Sequence, residues 1–224
     1  MGNIFGSIIN FLYNCFLFIH DKGIAIVITN KNLSYGLSII VFTIIIRVLL
    51  LPLNMKSMKS QLKMTEIQPE VKRIQEKYKK DPQKLNEETM KLYKEKGVNP
   101  LGGCLPLLIQ MPVLMALYNV FRKPVFAGIH FLWIADLSKP DHLFILAILS
   151  GATTYISSTL LAPKGDNAQA KQTSTMNIVM GVFLTFMSLN MNASLVIYWI
   201  FNNLFQVGQT VVIKRNNKKS LEEA

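Results

Sequence analysis

Leu37 to Leu53, LSIIVFTIIIRVLLLPL, is apolar over seventeen residues except for Arg47. A run of this kind is a transmembrane helix candidate, and Leu33 to Gly36 extend it to the length a bilayer core demands. Arg47 is not at its edge. At about 1.5 Å of rise per residue, its backbone lies roughly 12 Å inside Met55, where the polar sequence begins. A guanidinium in hydrocarbon costs from about 2.5 to more than 10 kcal/mol, according to how far it can reach toward water. Either the side chain snorkels to the headgroups beside Lys56 and Lys59, or it stands on the wall of a water-filled intramembrane cavity.

The rest of the chain is built of similar material. With 50% hydrophobic and 17% charged residues among 224, it suits one membrane domain of several helices. Ile4 to Ile19 is apolar, but Asn3, Ser7, Asn10 and Asn14 recur on one helical face, which predicts an interfacial helix within an extracytoplasmic segment 1–32. No Lys or Arg precedes it and no small-x-small site closes it, so it does not read as a cleaved signal peptide. The membrane domain is 33–213, with spans over 33–53, 101–121, 143–161, 176–191 and 195–213, and 214–224 is a basic tail. Between the first two spans, 54–100 reads as a helical hairpin with stripes Val71, Ile74, Tyr78 and Leu85, Thr89, Leu92. Asp81-Pro82 caps its second arm and Gly97 ends it. Phe131, Trp133 and Ile134 are expected as interfacial anchors, and a tight turn at Asn192 joins the last two spans. Cys15 and Cys104 show neither CxxC nor Cys/His spacing and read as packing residues, with no metal site and no disulfide framework. The fold class is therefore an all-α integral membrane protein of five transmembrane helices, with a hairpin and an N-terminal interfacial helix.

Basic residues orient it. Twelve Lys and Arg in 54–100, two in the 163–173 loop and four in the tail place 18 on one side, against five at Lys22, Lys31, Arg122, Lys123 and Lys139. The positive-inside rule makes the hairpin and C-terminus cytoplasmic and the N-terminus external. The formal charge of +11 is thus mostly topological, and no aromatic interleaving marks a DNA site.

No P-loop is present, and all 13 Asp and Glu lie outside the five spans, which disfavours nucleotide-driven and ion-coupled transport. The last span instead carries Tyr198, Asn202, Gln206 and Gln209 on one face; Thr43 lies one turn from Arg47, and Gln110 is polar in an apolar stretch. One such amide alone means interhelical hydrogen bonding. Together with an arginine that has no intramembrane acid, they describe a hydrated groove. A solute channel would need a polar path through both leaflets, and a structural scaffold would need no groove at all. An enzyme would need an arranged carboxylate or nucleophile, which is lacking.

IIIRVLLLPL, then EVKRIQEKYKKDPQKLNEETMKLYKEKGVNPLGGCLPLLIQMPVLMALYNVFR, FLWIADLSKPD and VIYWIFNNLFQVGQ resemble the YidC family of membrane protein insertases over nearly the whole chain after Gly36. The short length is similar to the Gram-positive form. The resemblance implies a non-enzymatic, cofactor-free insertase and chaperone in the lipid bilayer of a bacterial plasma membrane. Its partners would be nascent membrane proteins, the ribosome and the Sec translocon, with no small-molecule substrate. Arg47 matches the family's groove arginine. Thr43, Met111, Leu114, Tyr198 and Trp199 fall where members meet the client helix, and Gln110 belongs to the same motif; Asn202 and Gln206 complete the polar set. Where members have Pro, a small residue and Gly in the last turn, this chain has Asn192-Ala193-Ser194.

The distribution of basic residues sets the orientation test. Single cysteines replacing Lys84 and Lys218 should resist a membrane-impermeant maleimide in intact cells, while one replacing Lys139 should react. External labelling at position 84 would reverse the topology.

Overall fold

A computed structural model describes residues 2–99, 105–162 and 168–222. Among these the chain is helical, with one isolated bridge, Phe131 to Ile134, in place of any strand. The elements are α1 (Gly2–Ile19), α2 (Ala25–Val27), α3 (Lys31–Leu49), α4 (Leu51–Glu66), α5 (Gln68–Lys77), α6 (Pro82–Glu95), α7 (Leu105–Val120), α8 (Ile145–Leu161), α9 (Ala168–Ser188) and α10 (Ala193–Glu222).

Three stretches are long and apolar enough to cross a bilayer by length and composition: Ile4–Val27, Lys31–Leu49 and Ala193–Arg215; Ile145–Leu160 is apolar but shorter. The first is longer than the expected helix, Ile4 to Ile19. Gly23, a residue that reads as a break after Ile19, does not end it, because a π-helical turn, His20–Ile24, carries the chain on into α2. The contacts of α1 gather around Phe16, whose ring meets His20, then Tyr35 and Phe42 of α3, and Phe121 and Phe126 just past α7. Cys15 is half-buried beside this cluster; Cys104 lies outside the described residues.

Several boundaries move. α3 ends at Leu49, yet its ladder barely lapses: Leu50 N–H donates to Ile46 O at 3.0 Å and Asn54 N–H to Leu50 O at 2.9 Å. Pro52, near the start of α4, has no N–H to donate and is tolerated there. The first part of 54–100 is therefore a near-continuation of α3. α5 and α6 then pack through Ile67, Val71, Leu92, Tyr93 and Val98, and Lys96 pairs with Glu70 at 2.7 Å. Asp81 Oδ1 accepts the Lys84 N–H at 3.1 Å, so the cap inferred from Asp81-Pro82 is present. Gly97, at φ 62°, stops α6, with Val98 N–H donating to Tyr93 O and Gly97 N–H to Lys94 O, which satisfies the orphaned carbonyls. α9 begins at Ala168 instead of 176, and α10 continues past 213 to Glu222. The start of the 101–121 span and most of the 163–173 loop lie outside the described residues.

The expectation that Phe131, Trp133 and Ile134, in the loop Arg122 to Asp141, all serve as interfacial anchors is corrected. Phe131 and Ile134 are core residues, joined by two backbone hydrogen bonds of 2.9 Å across a two-residue turn. The turn sends Leu132, 73% exposed and at φ 54°, to the surface beside Trp133. Alternation across a tight turn, not apolarity alone, decides which side chains face out. The same loop anchors α10: Ala193 N–H donates to Lys139 O, Ser194 N–H and Oγ donate to Leu137 O, and Asn192 Oδ1 accepts Leu195 N–H while its Nδ2 donates to Phe121 O. Asn192 thus serves as an N-cap, so Asn192-Ala193-Ser194 makes the turn through side-chain bonds.

α8 pairs antiparallel with α9 through Ser150–Ser188 Oγ contact at 2.8 Å and a close approach at Gly151. A Cβ there would meet the Thr185 hydroxyl and stand 2.9 Å from the Gly181 carbonyl. Gly151→Ala should therefore force the helices apart and lower stability by about 1–3 kcal/mol, read as a reduced unfolding midpoint of the purified protein in detergent. An unchanged midpoint would mean that α8 and α9 are not closely packed at this level.

Candidate functional site

Arg47 is 6% exposed on α3 and faces α10. Its Nη2 donates to the main-chain carbonyl of Asn202 at 2.9 Å and to Gln206 Oε1 at 3.4 Å. Neither acceptor is charged. Among the described residues, five buried side-chain atoms have no protein partner: Asn177 Nδ2 on α9, and Arg47 Nε, Asn202 Oδ1 and both amide atoms of Gln209 on α3 and α10. Buried polar atoms cost roughly 1–3 kcal/mol each when unpaired, so four on one seam ask for water, which bridges such groups where they are clustered and polar.

Why they align is simple helical geometry. Tyr198, Asn202, Gln206 and Gln209 stand at steps of four, four and three on α10. Tyr198, 1% exposed, accepts from Gln110 Nε2 at 2.9 Å, tying α7 to the same face. Thr43 is fully buried one turn before Arg47, and its hydroxyl donates to Ile39 O at 2.7 Å, so that proton is already committed to its own helix.

The remaining residues singled out from the sequence lie elsewhere. Leu114 and Trp199 line an apolar cleft among α7, α9 and α10, with Leu184, Met187 and Met191. Met111 is 49% exposed on α7. The Trp199 indole N–H donates to Thr154 Oγ1 at 2.9 Å, which also accepts from Asn203 Nδ2 at 2.8 Å. Asn203, which ties α10 to α8 here, was not singled out from the sequence. Its signal was available, because adjacent amides at 202 and 203 lie about 100° apart on a helix and so serve two faces, and the hydroxyls of Thr153 and Thr154 needed a donor. Among the described residues no group of three or more His, Cys, Asp or Glu could hold a metal ion.

A family model described as 60Kd inner membrane protein matches residues 27–220. The chain is 52% identical over 211 residues to the membrane protein insertase YidC of Clostridium tetani, with 94% of each chain covered. It is 43% identical to membrane protein insertase YidC 1 of Listeria monocytogenes, covering 85% of this chain and 67% of that one. It is also similar to a crystal structure of an active YidC insertase with its first transmembrane domain resolved, at a TM-score of 0.69 and 32% identity. That match covers 90% of this chain and 45% of the other, so the chain spans less than half the length of that protein.

The Thr154 node gives a test of the α8–α10 contact. Thr154→Val keeps the shape and removes the shared acceptor of Trp199 and Asn203; it should cost about 1–2 kcal/mol and shift the tryptophan emission, while Thr154→Ser should behave as wild type. Equal stability of all three would show that the hydroxyl carries no structural weight.

Proposed function

Because the chain belongs to the 60Kd inner membrane protein family, that of the YidC insertases, we propose that it inserts nascent membrane proteins into the bacterial membrane and assists their folding. The observation that carries this reading is the α3–α10 seam: a buried arginine held by neutral acceptors and accompanied by unpaired buried amide atoms. We read the seam as a hydrated groove open to the cytoplasm and to lipid. In the full reading the chain makes five spans, with α5 and α6 in the cytoplasm and the C-terminus inside; α1, though long enough to cross, is assigned to the external interface because Asn3, Ser7, Asn10 and Asn14 line one of its faces. The ribosome and the Sec translocon are the expected associates.

The mechanism follows from solvation. A client's short polar tail that meets water and Arg47 part-way across has a thinner hydrocarbon layer left to cross. Its apolar segment passes from water to lipid, releasing roughly 25 cal/mol for each Å² buried. On this account Tyr198 and Gln110 shape the polar wall, while Leu114, Met111 and Trp199 offer the apolar segment a surface on its way out. Thr43 packs the helix that carries the arginine. No bond is made or broken, and the reading assigns no enzymatic step.

Arg47 substitutions separate charge from hydration. If its charge draws acidic tails, Arg47→Lys should keep most insertion activity while Arg47→Gln and Arg47→Ala lose it, most of all for tails with Asp or Glu. The measurement is insertion of a matched pair of clients, one with an acidic tail and one neutralised, in cells depleted of any paralogue. Equal activity of the three variants on both clients would leave Arg47 as a structural anchor only.

A further inference from the structure

At the α1 end of the bundle an open cavity of about 430 Å³ lies between two helices. Gly6, Ile9 and Asn10 of α1 form one wall; Asn119, near the end of α7, and Arg122 and Lys123, just past it, form the other. A volume of this size falls within the range of small-ligand sites. Two cations and two amides converge there from segments distant in sequence.

The charge of this cavity is not neutralised by the protein. The Arg122 guanidinium sits 5.3 Å from the Tyr118 ring centre, and the Lys123 ammonium sits 5.5 Å from that of Tyr13. Aromatic faces hold the two side chains in place but bring no formal negative charge. Among the described residues neither cation has a carboxylate partner. The acids on the same side of the proposed topology are engaged elsewhere. Asp21 bonds His20 at 2.7 Å. Asp141 accepts from the Trp133 indole N–H and from the backbone N–H of Leu143 and Leu146. Burial pushes the Asp136 carboxyl up, but hydrogen bonds from Ser138 and from Gly128, with Lys139 nearby, hold it below the usual carboxylate range and keep it ionised within its own loop. The site therefore presents two positive charges and the amides of Asn10 and Asn119 to whatever enters it, one Asn119 N–H being already given to Met115 O at 2.8 Å. A tetrahedral anion with several acceptor oxygens uses such a set best, since arginine and lysine together supply forked and point-charge contacts.

We propose that this cavity binds a phosphate group, carried either by a phospholipid headgroup or by a soluble phosphate ester. Arg122 and Lys123 are its charge partners, and Asn10 and Asn119 are hydrogen-bonding walls. The occupant clamps α1 to the end of α7. The side of the membrane on which it lies rests on the orientation proposed above, but binding in detergent does not depend on that orientation.

The purified full chain in neutral detergent is titrated separately with phosphatidylglycerol, glycerol phosphate and, as the phosphate-free control, diacylglycerol, following the unfolding midpoint. A phosphate-bearing probe should raise the midpoint saturably, and the probe that does so at the lower concentration names the source. Replacing both cations, Arg122→Gln with Lys123→Gln, should weaken this response by about tenfold or more, whereas Lys139→Gln, in the neighbouring loop, should leave it intact. Gly6→Leu keeps every charge and fills space, since nothing stands within 4 Å of a Cβ built there; it should weaken binding comparably, and it covers the case in which the double variant does not fold. The proposal is overturned if neither phosphate probe exceeds diacylglycerol, or if Gly6→Leu responds as wild type, because general electrostatic attraction would then suffice.

Discussion

The arrangement of the bundle depends on how a guanidinium is accommodated inside apolar helices without a counter-ion. Arg47 could be matched by an intramembrane carboxylate, but such a pair would cancel its charge and commit its donors. Here it meets a main-chain carbonyl and a side-chain amide, so the charge stays uncancelled while part of its hydrogen bonding is satisfied. The remaining donors and acceptors are left for solvent. The helices around it are correspondingly over-tied at other points. α8, α9 and α10 share hydroxyl and amide bonds, and the loop through Leu137 and Lys139 fastens the first residues of α10. A stiff surround is what a half-satisfied polar seam needs if it is not to collapse onto itself.

Much of this was legible from residue order. Arg47 in an otherwise apolar run identified the seam, and the four-four-three spacing on α10 identified its opposite wall. The Asp81-Pro82 cap and the Gly97 stop could be located because turn and cap chemistry is local and depends on one or two side chains. What escaped was non-local. Phe131 and Ile134 carry the same apolar signal as Leu132 and Trp133, and only the two-residue turn between them separates core from surface. The continuation of α1 through His20–Ile24 was hidden because a glycine reads as a break, whereas a wider helical turn can absorb it. Asn203 was overlooked although the adjacent amides at 202 and 203 mark two faces of α10; that the second face meets the Thr154 hydroxyl of α8 is set by packing.

The last turn illustrates how one geometry can be reached by different chemistry. Proline and glycine make a turn by restricting or freeing the backbone. Asn192-Ala193-Ser194 relies on side-chain capping and on bonds to a neighbouring loop. Such a turn is more dependent on its surroundings, because its acceptors include Phe121 and Leu137 from other parts of the chain.

A main-chain carbonyl belongs to every amino acid alike. Since the shorter hydrogen bond of Arg47 ends on the backbone oxygen of residue 202, and not on its amide side chain, that bond is indifferent to which amino acid occupies the position. The partnership is inherited with the path of α10 itself. Over generations position 202 can drift without releasing the arginine, and no compensating exchange between 47 and 202 is to be looked for. The contact to Gln206, which is made by a side chain, is the one whose loss or gain would leave a trace in the sequence.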